Sequence, residues 1–129
     1  MIAVDTSALM AVLLDEPQSD QIMDALASAD ELLISSVIVT EALIVAERRG
    51  FGEAMSRLLD HLGMTFVEAS PATARRVAAT YSRWGKGSHP ASLNFCDCFS
   101  YDVAKQHACP LLFVGADFAK TDIRSALQG

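Results

Sequence analysis

The feature that most constrains this fold is an alternation of strand-length apolar runs with segments of helical spacing. Met1-Ile2-Ala3-Val4, Glu31 to Ser35 around Leu32-Leu33-Ile34, Met64 to Ala69, and Pro110 to Val114 read as buried strands. Thr6 to about Leu14 reads as a first helix, halted by Pro17. Gln18 to Ala29 carries Ile22, Leu26 and Ala29 at spacings of four and three, the mark of a second. Ser35 and Ser36 are competent caps for a helix ended by Gly50, and Gly52 to about His61 is another, closed by Gly63. Ser70-Pro71 joins a capping hydroxyl to a proline at the first helical position, and Ala74, Val77, Ala78 and Tyr81 form the apolar stripe that follows. Gly85 to Pro90 must be a loop, Asn94 caps a helix to about Ala108, and Gly115 opens a loop with a short last helix. Strands alternating with helices imply a parallel sheet. They are too few and too short for a barrel. The expected fold is α/β, a three-layer α/β/α sandwich with a short central parallel sheet, in one domain spanning residues 1–129.

Four acids stand where such a sheet should have core. Asp5 closes the first strand beside Thr6 and Ser7, where open α/β sheets place their ligands. Asp97 interrupts Phe95-Cys96-Asp97-Cys98-Phe99, and Asp117 follows the run from Leu111 to Ala116. Glu41 has Val37, Ile38, Ile44 and Val45 as its helix-face neighbours, so its carboxylate is expected to project from the core-facing stripe. Taken singly, Asp5 could be a helix cap, Asp97 part of a capping arrangement with Asn94, and Asp117 a turn residue. Taken together, buried unpaired carboxylates are costly and call for a positive partner. A cluster of oxygen ligands suits Mg²⁺ or Mn²⁺, which activates water and stabilises charge in phosphodiester displacement. Asp5, Glu41 and Asp97 are then the expected metal ligands, with Asp117 as the fourth catalytic acid. Thr6 and Ser7 would orient a ligand carboxylate or a water, local capping bonds being the alternative for each. Asp102 lies five residues past Asp97, about 140° around the helix, and is expected at a solvated or rim position. Asp15, Glu16, Asp20, Asp24, Asp30, Asp60 and His61 read as surface charge.

Composition narrows the classes further. With 51% hydrophobic and 20% charged residues the chain is globular, and a net charge of -6 argues against a general nucleic-acid coat protein. It leaves a nuclease open, because catalytic carboxylates contribute to the excess. Cys96, Cys98 and Cys109 read as small buried hydrophobes in a reducing compartment, without partners at zinc spacing. No apolar run approaches the roughly 18 residues of a membrane span, and no signal-peptide pattern opens the chain, so a cytoplasmic location is expected. A phosphoacceptor signalling domain would place an aspartate after its third strand; here Met64 to Ala69 ends at Ser70.

With these motifs in order, the sequence resembles the PIN-domain ribonucleases, specifically the VapC-type toxins of bacterial toxin–antitoxin pairs. The resemblance runs through Asp5-Thr6-Ser7-Ala8-Leu9, Glu41-Ala42, Gly85 to Ala91, Leu93 to Phe99, Pro110 to Phe113, Asp117-Phe118 and Thr121-Asp122-Ile123. It implies a Mg²⁺- or Mn²⁺-dependent endoribonuclease acting on structured RNA such as tRNA. It also implies a homodimer, held inactive by a VapB-type antitoxin. Asp5, Glu41 and Asp97 match the family's acidic positions. The fourth departs from it: relatives usually carry Gly-Asp-Asp-Phe where this chain has Gly115-Ala116-Asp117-Phe118. That leaves a catalytically impaired binding partner as the alternative reading. Lys86, His89, Arg76 and Arg83 are the expected RNA-backbone contacts, a solvated helix face or a structural histidine being the alternatives. Ser88 stands where relatives often have a basic residue.

Overall fold

In a computed structural model, residues 1–127 are described; the last two residues of the expected domain lie outside them. The chain runs β1 (Ile2–Val4), α1 (Thr6–Leu13), α2 (Ser19–Ser28), β2 (Leu32–Ser35), α3 (Ser36–Arg48), α4 (Gly52–Leu62), β3 (Thr65–Val67), α5 (Pro71–Trp84), α6 (Phe95–Gln106), β4 (Leu111–Leu112) and a 3₁₀ turn at Phe118–Lys120. The four strands form one sheet in the order β3-β2-β1-β4, every pairing parallel. Between β1 and β4 the strand order reverses, and at such a switch point an open parallel sheet leaves a crevice beyond its carboxyl ends. The three-layer expectation holds.

Two strands are shorter than their apolar runs. The run Met64 to Ala69 keeps only Thr65–Val67, at a sheet edge with Thr65 and Phe66 exposed. The run Pro110 to Val114 keeps only Leu111–Leu112, because the backbone then leaves the sheet: the Val114 N–H donates to Ser7 Oγ at 3.0 Å. Gly115, at φ 108°, continues the departure in a region that side-chain-bearing residues disfavour.

The interior is built from Leu9, Ile22, Ile34, Ile38, Met55, Leu93, Leu111 and Leu112, all essentially free of solvent. Each such side chain contributes about 1.5–3 kcal/mol over its exposed state. Helix α6 lies across β1, β2 and β4 and packs on α3 and α5. That position explains why the helix is continuously buried from Cys98 to Ala104, without a solvated stripe.

Asp102 therefore departs from expectation. It is 5% exposed, because the side of α6 turned away from Asp97 meets α5, not water. Its carboxylate accepts Arg76 Nε at 2.8 Å and Arg76 Nη2 at 3.1 Å, a two-pronged bridge between α5 and α6. Arg76, expected as an RNA contact, is held here as a helix-to-helix clamp.

Candidate active site

Because all four strands are parallel, their carboxyl ends share one edge, and four segments converge there. Asp5 follows β1 and is the cap of α1, accepting the Ser7 backbone N–H at 3.1 Å on Oδ2. The same oxygen accepts Ser7 Oγ at 2.7 Å, while Oδ1 accepts Ser100 Oγ at 2.5 Å. The Asp5 N–H donates to the Leu112 carbonyl at 3.0 Å, stitching this corner to β4. Capping and site placement are one geometry here, with the carboxylate 4% exposed.

Glu41 enters from α3. The buried face of that helix is Ile38, Val39, Ala42 and Ala46. Glu41 sits half-buried at its margin, and Ile44 is 53% exposed. The expectation that Glu41 projects from a core stripe is corrected: the helix carries apolar residues on its outer side too, so the pattern alone misplaced its inner face. Glu41 still reaches the carboxyl edge of the sheet, where Oε1 accepts Thr6 Oγ1 at 2.5 Å. Thr6 and Ser7 thus each hold a different carboxylate.

Asp97 stands in the first turn of α6 in a reciprocal cap. Its Oδ2 accepts the Asn94 N–H at 2.9 Å, and its own N–H donates to Asn94 Oδ1 at 2.8 Å. Burial pushes the Asp97 carboxyl up to about 7; the Asn94 N–H opposes the shift, and the charges of Asp5, Glu41 and Asp117 add to it. The charges of the other three acids therefore all reach Asp97. Asp117 is exposed, opens the 3₁₀ turn and makes no capping hydrogen bond; Ala116 beside it is exposed as well.

No cation answers this cluster among the described residues. The ion pairs there are Arg57–Glu53, Arg76–Asp102 and Lys105–Asp122. Nor, among the described residues, do three His, Cys, Asp or Glu side chains stand together closely enough to hold a metal ion by themselves. The donors available, carboxylates backed by hydroxyls, are hard oxygens. They fit a cation of the Mg²⁺ type, which keeps several waters and takes only one or two carboxylates.

Two site residues escaped the sequence reading. Ser100 is 1% exposed and lies one helical turn beyond Asp97, a spacing that could have marked it as a neighbour. Cys96 was expected to be buried but is only partly so. Its thiol is pushed up to about 12, by burial first and then by Glu41, Asp97 and Asp5, and so stays protonated. Cys98 and Cys109 are buried free thiols, as expected. On the loop, Lys86 is exposed, and Arg83 is exposed with its guanidinium 4.5 Å above the Trp84 ring. His89 is anchored in its loop: its Nδ1 accepts the Ala91 N–H at 3.0 Å, and its ring meets Trp84 edge-on at 4.6 Å.

Residues 2–124 match the family described as PIN domain. The chain belongs to the PIN-domain family. This PIN domain is 42% identical over 128 residues to Ribonuclease VapC of Mycolicibacterium smegmatis, spanning 95% of this chain and 97% of that protein. It is 43% identical over 129 residues to Ribonuclease VapC30 of Mycobacterium tuberculosis, spanning 95% of each. Among solved structures, the fold is shared with Mycobacterium tuberculosis VapC20, described as a sarcin-ricin loop cleaving toxin, at a TM-score of 0.77 and 16% identity, covering 95% of this chain and 96% of that one. A toxin–antitoxin complex from Klebsiella pneumoniae is also similar, at a TM-score of 0.71 and 18% identity over 95% of this chain and 93% of the other. Among the described residues of the PIN domain, no helix is long and apolar enough to cross a membrane.

Proposed function

We propose that this PIN domain is a divalent-metal-dependent endoribonuclease, the toxin of a toxin–antitoxin pair, acting on structured RNA of the tRNA class. The observation that carries the reading is the gathering of Asp5, Glu41, Asp97 and Asp117 from four segments, with no cation to answer them among the described residues. The names of the VapC relatives support the same reaction class. Asp5, Glu41 and Asp97 would hold Mg²⁺ or Mn²⁺ between them, directly or through the waters such an ion keeps, and the ion when bound supplies a Lewis acid for the phosphate and an acidified water.

The protein's part is orientation. Ser7 and Ser100 fix Asp5, Thr6 fixes Glu41, and the Asn94 cap fixes Asp97. Asp117, free of a capping bond, is the acid left to orient the attacking water. Lys86 and Arg83 receive the RNA backbone, each phosphate contact adding salt dependence to binding. The reading includes a VapB-type antitoxin, a homodimer and a cytoplasmic location. The exposed apolar side chains Leu43, Ile44 and Phe51 offer surface for association.

The test is cleavage of structured RNA in Mn²⁺ by the native protein, Asp5→Asn and Asp97→Asn. Both variants are expected to lose at least about 100-fold in rate, with unchanged circular dichroism; even an outer partner of a metal ligand commonly costs 10–100-fold. Full activity in both variants would sink the reading. Ala116 and the lack, among the described residues, of three metal-ligating side chains close enough to hold an ion favour a second reading, an impaired PIN fold that serves as a binding partner. No calorimetric Mn²⁺ binding by the antitoxin-free protein would select it.

A further inference from the structure

Around Asp5 the hydrogen bonds leave a single opening. An ionised carboxylate offers about four lone-pair sites, two on each oxygen. Oδ2 takes the backbone N–H and the hydroxyl of Ser7 and is filled. Ser7 Oγ itself accepts the Val114 N–H, so its one proton is committed to Asp5. Oδ1 takes Ser100 Oγ, which leaves one lone pair of the carboxylate free.

The Ser100 bond is an unusual use of a helical serine. A serine inside a helix commonly bonds the carbonyl four residues back, as Ser28 and Thr40 do here with Asp24 and Ser36. Ser100, fully buried, instead reaches 95 residues back along the chain to Asp5. It also stands one turn beyond Asp97 on α6. The one hydroxyl thus ties the helix that carries Asp97 to the strand end that carries Asp5.

We propose that Ser100 is a positioning residue for the metal: it restricts Asp5 to one-point ligation through Oδ1 and sets its place relative to Asp97. The inference rests on the metal-dependent reading above. Without Ser100, both lone pairs of Oδ1 are open and the carboxylate is free to rotate about its Ser7 hinge. The effect falls on affinity, because the bond from the Ser100 hydroxyl orients the carboxylate that would ligate the ion.

The experiment uses Mn²⁺ alone with the full chain, comparing the native protein, Ser100→Ala and Ser100→Cys. Calorimetry gives the affinity, and thermal unfolding with and without Mn²⁺ gives the metal-induced rise in Tm. We expect Ser100→Ala to bind Mn²⁺ about 10-fold more weakly or worse, with a smaller metal-induced rise. Ser100→Cys, which keeps a weak donor, should fall between the two. A merely structural role would lower the metal-free Tm and leave the metal-induced rise unchanged. Native-like Mn²⁺ affinity in Ser100→Ala, or in Ser100→Cys should the alanine variant not fold, overturns the proposal while leaving the metal-dependent reading intact. Failure of the native protein to bind Mn²⁺ overturns both.

Discussion

Two groups of acids in this molecule are treated in opposite ways. Asp102 and Asp122 each have a cation at bonding distance, Arg76 at 2.8 Å and Lys105 at 2.9 Å. Among the described residues, Asp5, Glu41 and Asp97 are partnered by hydroxyls, backbone N–H groups and, for Glu41, the Cys96 thiol, while Asp117 has no capping bond and adds its charge to the group. The first group closes its charge within the protein and joins elements together: α5 to α6, and α6 to the C-terminal segment. The second leaves its charge open at a sheet edge. A fold able to place an arginine against Asp102 could have placed one against Asp97. The contrast shows that burial of an acid says little about its role, and that the identity of its partner says much.

The largest effect expected on the closed side is at Arg76. Arg76→Ala strips a buried carboxylate of the cation that partners it among the described residues, and leaving a buried charge unpaired is the costlier way to break such a pair. Asp102→Asn should cost less, since the arginine it releases is partly exposed and can turn to water. Urea unfolding of the two variants measures the asymmetry. Mn²⁺ affinity should be native in both. If Arg76→Ala instead keeps native stability and weakens RNA binding with a shallower salt slope, Arg76 is not a closed partner of Asp102 but the RNA contact expected from the sequence.

This difference was only half legible in the sequence. Apolar runs and caps located every element, because strand length, Ser70-Pro71 and Asn94 act locally. Asp5 was legible for the same reason: it ends a strand and begins a helix. Asp102 and Arg76 were not, since their pairing spans α5 and α6 and depends on how α6 rolls against the sheet. The Glu41 neighbourhood misled because apolar residues circle much of α3, leaving its periodicity unable to say which side faces in. Ser100 was hidden by being ordinary: a serine among Cys98, Phe99 and Tyr101 acquires meaning only when β1 arrives beside it.

The next effect is one of pH. Asp97 is pushed up to about 7, mainly by burial, so the fold favours its protonated form. Between the ordinary aspartate value near 4 and about 7, the folded chain binds more protons than the unfolded one. Its contribution to stability therefore falls as pH rises through that window. In metal-free protein, Asp97→Asn should gain in Tm relative to the native chain from pH 4 to 7 and hold a constant lead above. Mn²⁺, which requires the ionised form, should bind more tightly across the same interval. A Tm difference that does not change with pH would remove Asp97 from the open group.

The smallest effect, and the one of opposite sign, belongs to Asp122. Burial tends to raise its carboxyl, but hydrogen bonds from Tyr101 and Lys105 outweigh that and hold it below the usual range. A depressed carboxyl contributes stability above its unfolded value, and that contribution is lost as pH falls through the folded value. The Lys105 pair is about two-fifths exposed on each side, so water screens it, and such pairs are worth roughly 0.2–1 kcal/mol. Asp122→Asn retains an acceptor for the Tyr101 hydroxyl and loses only the charge. Urea unfolding should show a small deficit at pH 7 that shrinks in 1 M salt and fades as acid protonates the carboxylate. Asp97→Asn and Asp122→Asn thus predict opposite responses to one titration: removing charge from the open group helps as pH rises, while removing it from the closed group matters less as pH falls. Should the Asp122→Asn deficit grow in acid, its ion pair is not what distinguishes the two groups.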